Sequence, residues 1–381
     1  MACAEFLYLN HVLVKELVIP DEITRIKPFS FYSNEHLISV IIPNSITNIG
    51  HHAFWDCTSL TSVNIGNSVT CIEEHAFSGC YSMTSVNIPS SVTIIERRAF
   101  MSCVSLTSVH ISDIASWCNI DFEDIYSNPL ENAGSLYLNG NEIRDLVIPE
   151  GVTCIKAYAF YNFERMLSVT IPNTVTFIEV CAFEECHGLT SVIIPNSVTD
   201  IENHAFAYCS DLTAVTIPNS VTGIGHGTFR SCNSLTSIEL PNSVMSIEDA
   251  AFQGCTVLNK VVIGRGVEHT GHDAFANCPA LLNVYCYAEN VPETETDAFD
   301  DSNIESATLH VLETSIADYA VSEPWSNFGE ITALTEQEVG VDNLKAESGN
   351  TKTEIYDLSG RRVQKAQKGI CIQNGKIVVK R

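Results

Sequence analysis

The sequence LTSVIIPNSVTDIENHAFAYC, residues 189–209, is one copy of a motif that recurs along most of the chain. Its phenylalanine marks a period of 23 residues in two runs, which are separated by a gap of 60 residues. These phenylalanines are Phe31, Phe54, Phe77, Phe100, Phe160, Phe183, Phe206, Phe229, Phe252, Phe275 and, after a step of 24, Phe299. A fixed period in the range of about 20 to 50 residues is typical of a solenoid, whose units bury their apolar faces only by stacking on each other.

The first half of the repeat has the pattern of a short parallel strand. Leu189, Val192 and Ile194 fit the L-x-x-L-x-L framework of a leucine-rich repeat. The Pro-Asn-Ser tripeptide at 195–197 ends this strand, because proline has no ladder donor and asparagine tolerates turn geometry.

The second half predicts another strand and then a turn. Residues 198–201 alternate apolar and polar, which predicts a short strand with Thr199 pointing outward. Ala205-Phe206 and Cys209 are three to four residues apart, so a single helical or 3₁₀ turn would direct all three inward. The predicted unit is therefore strand, turn, strand, helical turn.

This repeat resembles the BspA-like leucine-rich repeat family, with its IPNSVTxIxxxAFxxCxxLTSV consensus, over roughly residues 23–285. The resemblance implies a curved, right-handed solenoid at the surface of Bacteroides-type bacteria, used for adhesion or host-protein binding. The predicted fold class is an α/β repeat solenoid with a parallel β-sheet, second short strands and short helical turns, plus a small β C-terminal appendage.

Composition excludes two classes of partner. The formal net charge of the 381-residue chain is -26, and the seven Lys and Arg of residues 361–381 leave the rest still more acidic. Such a body repels phosphate backbones, so nucleic-acid binding is not expected. No apolar run reaches the length of a membrane span. The start, MACAEFLYLN, lacks the basic and apolar regions of a secretory signal, so export would require a leader upstream of it.

The fifteen cysteines suggest either a disulfide scaffold or a buried column. Eight of them lie three residues after a repeat phenylalanine: Cys57, Cys80, Cys103, Cys186, Cys209, Cys232, Cys255 and Cys278. Stacked coils would hold these side chains parallel, a geometry that disfavours a bridge. We therefore interpret them as small core residues.

The repeat pattern divides the chain into six segments. These are a first leucine-rich repeat array (1–111), an insert with short helices and a hairpin (112–148), a second array (149–286), a C-terminal cap (287–334), a linker (335–353) and a small β tail (354–381). In the cap, Tyr319, Trp325 and Phe328 are predicted to close the core.

The tail carries YDLSGR at 356–361 and KGICI at 368–372. These residues resemble the C-terminal sorting domain of type IX secretion substrates in Bacteroidetes, except that Cys371 stands where an aromatic residue is usual. The resemblance implies surface export. The alternative is a small β appendage on the end of the solenoid, and the sequence predicts three short strands there.

Within the insert, Ser112 is predicted to cap a short helix, and Asn128-Pro129 to open another. A hairpin over 136–148 would turn at Asn139-Gly140.

Aromatic side chains in the insert permit two interpretations. Trp117, Phe122 and Tyr126 either cover the core that the interruption opens or form a binding knob.

Two columns flank the central apolar residue of the first strands. One is nearly all serine, whereas the other varies, as expected of a binding sheet and equally of relaxed constraint on exposed sites. From the variable column we predict a binding face made of Asn64, Asn87, His110, Thr170, Ile193, Thr216, Glu239 and Tyr285.

Motifs of catalysis are missing from the sequence: it has no nucleophile elbow, phosphate loop, Cys-x-x-Cys pair or His-Glu-x-x-His. We therefore predict no catalytic residues and no cofactor. His52 and His75 would lie close on stacked coils, but no further ligand recurs beside them, so we predict no metal site.

These patterns together predict a non-catalytic, secreted or cell-surface adhesion module that engages a host or extracellular-matrix protein through the sheet. Two alternatives stay open: a glycan-binding protein that uses Trp117, Tyr126 or Trp325 as sugar platforms, and an architectural spacer.

Overall fold

The structure, a computed structural model, describes residues 7–9 and 12–335 and the backbone of four strands within residues 355–380. The chain forms two compact units, Met1–Ala333 and Leu334–Arg381. The first unit is a parallel-sheet solenoid of about 14 turns with few helices.

One face of the solenoid, here called the sheet face, carries the first strand of each coil. Its strands are Glu16–Val18, Ser39–Ile41, Ser62–Asn64, Ser85–Ile88, Ser108–Ile111, Leu136–Leu138, Asp145–Val147, Ser168–Thr170, Ser191–Ile193, Ala214–Thr216, Ser237–Leu240, Lys260–Ile263, Asn283–Cys286, Thr308–Val311 and Glu330–Ala333. The strands form four paired sheets, within residues 16–138, 145–170, 191–216 and 237–333. Within each sheet they pair in parallel with equivalent residues opposite each other, for example Val63 with Val86. The central residue points into the core, and its two neighbours point outward.

A second set of two-residue strands lies across the core. They are Asn48–Ile49, Cys71–Ile72, Ile94–Ile95, Asp121–Phe122, Cys154–Ile155, Phe177–Ile178, Asp200–Ile201, Gly223–Ile224, Ser246–Ile247, His269–Thr270 and Glu293–Thr294. Val198 and Ile201 are buried and Thr199 is exposed, as predicted from their alternation.

The turn that follows these strands is not helical, and the helical turn predicted at Ala205-Phe206 is wrong. Alternate N–H groups point out of the coil: Phe206 N donates to Thr228 O of the next coil at 3.0 Å, whereas Ala207 N donates back to His204 O at 3.1 Å. A helix would direct both bonds along its own axis. The chain instead makes consecutive β-turns, which place His204 at a φ of 57°.

The predicted phenylalanine column is confirmed. Successive rings lie nearly parallel with centroids 5.0 to 5.7 Å apart, both from Phe31 to Phe100 and from Phe160 to Phe299. Offset aromatic stacking at this spacing adds to the free energy gained from apolar burial.

The buried cysteine column is confirmed as well, and its thiols make a hydrogen bond that the sequence did not reveal. Cys209 Sγ donates to Phe183 O of the preceding coil at 3.2 Å, and each of the eight column thiols makes the equivalent bond. Ser302, at the same repeat position, donates to Phe275 O at 2.6 Å. All thirteen described cysteines are free thiols; Cys3 and the side chain of Cys371 lie outside the described residues.

The insert contains the helices Ile114–Cys118 and Leu130–Ala133 and the 3₁₀ turn Ile125–Ser127. The cap of the first helix is Asp113 rather than the predicted Ser112, because the longer Asp113 side chain accepts from Ser116 N at 2.7 Å. The second helix follows Asn128-Pro129 as predicted.

Aromatic residues of the insert fill the gap between the two phenylalanine runs. Trp117 and Phe122 are buried, and Trp117 Nε1 donates to Ala159 O at 2.7 Å, while Tyr126 is half-buried. The interpretation of Trp117 and Phe122 as a cover over the core is confirmed.

Two short hairpins accompany the sheet face, Tyr8–Leu9 with Val12–Leu13 and Leu136–Leu138 with Asn141–Glu142. The second turns at Asn139-Gly140, both with positive φ, as predicted. It ends at Glu142 and not at 148, because Asp145–Val147 already pairs in parallel with Ser168–Thr170.

The end of the solenoid unit is closed by Ile304–Ser306, Glu313–Ser315, Ile316–Tyr319 and Trp325–Asn327, which are short 3₁₀ and α turns. Tyr319, Trp325 and Phe328 are buried there, in agreement with the predicted cap. Trp325 packs edge-on against Phe299 and donates to Thr294 Oγ1 at 3.0 Å.

The second unit contains an antiparallel sheet of Arg362–Val363, Ile355–Tyr356, Gly369–Gln373 and Lys376–Lys380, in that spatial order. The sequence predicted three of these strands. The predicted linker at 335–353 lies outside the described residues after Thr335.

Candidate functional site

The eight predicted binding residues take the same outward position of their strands, here called the variable column, and these strands belong to four separately paired sheets. Asn64, Asn87 and His110 are opposite each other on consecutive strands, and Ile193 pairs with Thr216. Strand register sets this alignment, because one coil is one repeat long.

The remaining members continue the same column. Val262 stands between Glu239 and Tyr285, and Thr170 pairs with Val147.

These side chains are accessible to a partner. Asn64, Thr170, Thr216 and Glu239 are exposed, and Ile193 is 73% exposed. Asn87, His110 and Tyr285 are half-buried against their neighbours. Neighbouring strands are about 4.8 Å apart, so the column presents closely spaced side chains along the solenoid.

The adjacent column is mostly serine. Ser39, Ser62, Ser85 and Ser108 pair in one register, and Lys260 and Asn283 replace serine near the C-terminal end. Because serine side chains are small, they cover little of the neighbouring variable column.

The variable column carries little charge although the chain is strongly acidic. Across the described strands its one Asp, Glu, Lys or Arg is Glu239, whereas the serine column holds Glu16, Asp145, Lys260 and Glu330. Depletion of charge is a property of the centres of protein–protein interfaces.

The structure adds two aromatic residues to the column. Tyr137 stacks on His110 with centroids 4.9 Å apart, and His310 stacks on Tyr285 at 4.3 Å, with Lys260 Nζ lying 5.0 Å from the Tyr285 ring centre. Sequence reasoning missed Tyr137 because it lies in the insert, and His310 because the consensus has decayed in the cap.

A shallow groove of about 440 Å³ borders the column in the first array. Asn44, Asn64, Asn67 and Asn87 line it, together with Ile41 and Gly66. Asn67 N donates to Asn44 Oδ1 at 2.7 Å, which fixes the polar wall. Amide groups and aliphatic carbon thus lie side by side at this edge.

Ionisable groups inside the solenoid are held in their neutral forms. Burial raises the pKa of the Cys57, Cys103 and Cys278 thiols to about 12, so they remain protonated at neutral pH. Burial likewise lowers the pKa of His52 and His75. Among the described residues, no three His, Cys, Asp or Glu side chains are grouped to hold a metal ion.

The sugar platforms considered from sequence are not available as such. Trp117 and Trp325 are 1% and 0% exposed, and each indole N–H already donates inside the protein. A buried ring cannot stack on a sugar, so the interpretation of these two residues as platforms is wrong. Tyr126 is half-buried.

Short parallel strands stacked one per 23-residue coil, with the L-x-x-L-x-L framework, are the architecture of the leucine-rich repeat class of solenoid proteins. The family described as BspA type leucine-rich repeat region (six copies) matches residues 4–129, 131–233 and 199–328. The chain therefore belongs to the BspA-type leucine-rich repeat family. No match is found among curated proteins.

Solved structures with similar coordinates include three bacterial proteins. A leucine-rich cell surface protein from Faecalibacterium prausnitzii is 26% identical, with a TM-score of 0.43, 74% of this chain covered and 88% of that one. A leucine-rich repeat protein from Bacteroides ovatus is 23% identical (TM-score 0.39; 74% and 91% covered). One from Eubacterium ventriosum is 21% identical (TM-score 0.51; 71% and 84% covered) and supports the fold.

Within the described part of the chain, no helix has the length and apolar character needed to cross a bilayer.

Proposed function

We propose that this protein is a non-catalytic binding module, secreted or held at the bacterial surface, that engages a host or extracellular-matrix protein through the sheet face. The observation that carries the proposal is the charge-poor, in-register column, which includes Ile193 at 73% exposure, on a chain of net charge -26. Membership in a leucine-rich repeat family of binding scaffolds supports it.

The dimensions of the face fit a protein ligand. A standard interface buries about 800 Å² on each partner. Strands about 4.8 Å apart mean that six coils already span roughly 25 Å. The aromatic pairs His110–Tyr137 and Tyr285–His310 supply rigid rings, which are enriched among the residues that dominate binding energy.

The test compares binding by wild-type protein with a face variant, His110→Ser, Thr170→Lys and Glu239→Lys together, on arrays of extracellular-matrix proteins and glycans. A control, Glu22→Lys with Glu305→Gln, makes the same change in net charge at exposed positions outside the two columns. We expect the face variant to lose at least tenfold in affinity for a matrix protein and the control to keep it. Equal binding by all three proteins would contradict the proposal, and the absence of any ligand would favour a spacer.

Export to the cell surface is proposed on the YDLSGR and KGICI segments of the tail. The experiment expresses the full chain, with a leader, in a type IX-secreting Bacteroidetes host and compares it with a chain ending at residue 335. Surface labelling of the full chain alone is expected. Equal surface labelling of both would show that the tail is not a sorting signal.

A further inference from the structure

A second exposed surface lies away from the sheet face, on the turns of the first three coils. Six aromatic rings meet there and form what we call the aromatic turn patch: Phe29, Tyr32, His51, His52, Trp55 and His75. From the sequence, His52 and His75 are candidates only for a metal site, and the other four rings have no predicted role.

The rings of the patch are contiguous. His52 stacks on Phe29 at 4.9 Å, lies 4.6 Å from Trp55 and lies 4.9 Å from His75, measured between ring centroids. Tyr32 extends the patch, with its ring 5.3 Å from Trp55. Phe29 is 36% exposed and the other rings are half-buried, so part of each residue reaches solvent.

The fold does not require rings at these positions. Phe29, His52 and His75 occupy a turn position with positive φ that Gly227 and Ala250 fill in later coils. A non-glycine residue held at positive φ costs on the order of 1–3 kcal/mol of backbone strain, and a larger side chain does not reduce this cost. Small residues therefore suffice for the turn, and the rings are an addition to it.

The same comparison applies to Trp55. The equivalent position holds Ser78 in the next coil and Ala207 in the second array, both within the same turn. An indole at this exposed turn is likewise unnecessary for coil stacking.

Carboxylates border the patch. Glu73 Oε2 accepts from His51 N at 2.9 Å. Burial lowers the pKa of His52 and of His75, and the nearby Glu74 carboxylate acts in the opposite direction on both. Arg25 already pairs with Glu73 at 3.2 Å. Arg98 borders the far end, one coil beyond His75.

Cations and rings already meet elsewhere on the solenoid. Arg230 lies 5.9 Å from the ring centre of Tyr208, and Lys260 lies 5.0 Å from that of Tyr285. In the described part of the chain, neither of these cation–ring contacts uses a ring of the patch. Burial and the neighbouring His75 lower the pKa of His52, which keeps its imidazole uncharged at neutral pH.

We propose that the aromatic turn patch binds an arginine-rich segment of a partner protein, with guanidinium groups stacked on Trp55 and the adjoining rings. A guanidinium is planar, weakly hydrated and stacks on aromatic faces, whereas an ammonium does so less well. The surrounding carboxylates attract the same segment. This surface is separate from the sheet face and does not depend on it.

The test uses the full chain and two peptides of equal length and charge, one of arginine and one of lysine, measured by calorimetry at pH 7.5. The patch variant is Phe29→Ala, His52→Ala and Trp55→Ser, which leaves the net charge unchanged and introduces residues that other coils already hold. The matched control removes two exposed rings outside the patch, Tyr81→Ser and Phe177→Thr. We expect the patch variant to bind the arginine peptide about tenfold more weakly, and the control to bind as wild type.

Equal binding of the arginine peptide by wild type and patch variant would overturn the proposal, because attraction by net charge alone would explain it. Equal affinity of the wild type for both peptides would also overturn it. The proposal would also be overturned if the patch variant lost binding of a glycan but kept its binding of the arginine peptide.

Trp55 fluorescence gives an independent readout should the triple variant fail to fold. Trp117 and Trp325 are buried, so a shift in emission on adding the arginine peptide reports on Trp55. No shift with the wild type would contradict the proposal. The sheet-face variant should still bind the arginine peptide. A failure of the patch proposal can therefore be distinguished from a failure of the proposed function of the sheet face.

Discussion

The internal columns and the sheet face obey opposite rules although the same 23-residue repeat produces both. Inside, phenylalanine and cysteine recur in coil after coil, with rings 5.0 to 5.7 Å apart and every column thiol bonded to the coil before it. Outside, the equivalent register positions hold Asn64, His110, Ile193 and Glu239. Packing between coils determines which residue types can lie in the core. The strands determine only the position of an outward side chain, not its identity.

The hydrogen bond from each column thiol adds a polar requirement to the packed interior. A coil does not require cysteine as such, since Ser302 makes the same bond at the end of the array. At the interruption, Trp117 Nε1 and Asn128 Nδ2 both donate to Ala159 O. In each case a side-chain donor reaches a backbone carbonyl that stacking removes from water.

The largest expected effect is alkaline destabilisation through the buried thiols. Their pKa is raised by burial, to about 12 for Cys57 and Cys103, above the ordinary value near 9.0. Unfolded thiols therefore lose protons from about pH 9 upward while folded ones do not, and stability falls by up to about 1.4 kcal/mol per thiol per pH unit. This loss continues until the folded thiols themselves ionise.

The measurement is the melting temperature by circular dichroism from pH 7 to 11, with a reductant present. We expect a constant value to about pH 8.5 and a steep fall above it. A variant with Cys186, Cys209 and Cys232 all changed to serine should fall less steeply. Parallel curves for the two proteins would contradict the assignment of this pH dependence to the column.

Next in size is removal of one ring from the column. Phe206 stacks on Phe183 and Phe229 and is fully buried, so Phe206→Ala should cost about 3–5 kcal/mol. Trp117→Ala should cost a similar amount, because Trp117 fills the same core at the interruption. Urea unfolding checks both, and Tyr81→Ala, at an exposed ring, is the control. A Trp117→Ala protein as stable as wild type would show that the insert does not seal the core.

Much of this contrast could be predicted from the sequence. The spacing of Phe183, Phe206 and Phe229 predicted a stacked core, because residues one period apart must face each other in a solenoid. The same spacing placed the sheet-face residues in one column. Side-chain direction alternates along a strand, so inward and outward positions followed from the pattern.

The turn geometry could not be predicted in the same way. A spacing of three to four residues between Ala205 and Cys209 fits a helical turn and also two consecutive β-turns. The choice depends on hydrogen bonds to the next coil, such as Phe206 N to Thr228 O, which have no signal in one repeat. Tyr137 and His310 were missed for a related reason, since both join the column by strand pairing outside the regular period.

Replacing one column thiol should have a smaller effect that depends on the donor. Cys209→Ala removes the thiol donor from Phe183 O, which keeps only the 3.4 Å bond from Cys186 N, and it also empties the volume of a buried sulfur, so it should cost about 1–3 kcal/mol. Cys209→Ser should cost less, because its hydroxyl can donate as Ser302 does. Urea midpoints of the two variants test this order. A serine variant less stable than the alanine variant would show that the thiol acts only through its apolar volume.

The smallest effect on the free energy of unfolding is expected from substitutions on the sheet face. His110→Ser, Thr170→Lys and Glu239→Lys remove no buried contact of the central strand residues, and exposed substitutions usually change stability by within about 0.5 kcal/mol. His110→Ser also removes the stacking of His110 on Tyr137, which should lower the free energy of unfolding by about 0.5–1.5 kcal/mol. The same protein should therefore unfold within about 2 kcal/mol of wild type while losing its ligand. If its urea midpoint instead fell as far as that of Phe206→Ala, the outward column would be a structural part of the coil, and the distinction between packed interior and freely variable face would fail.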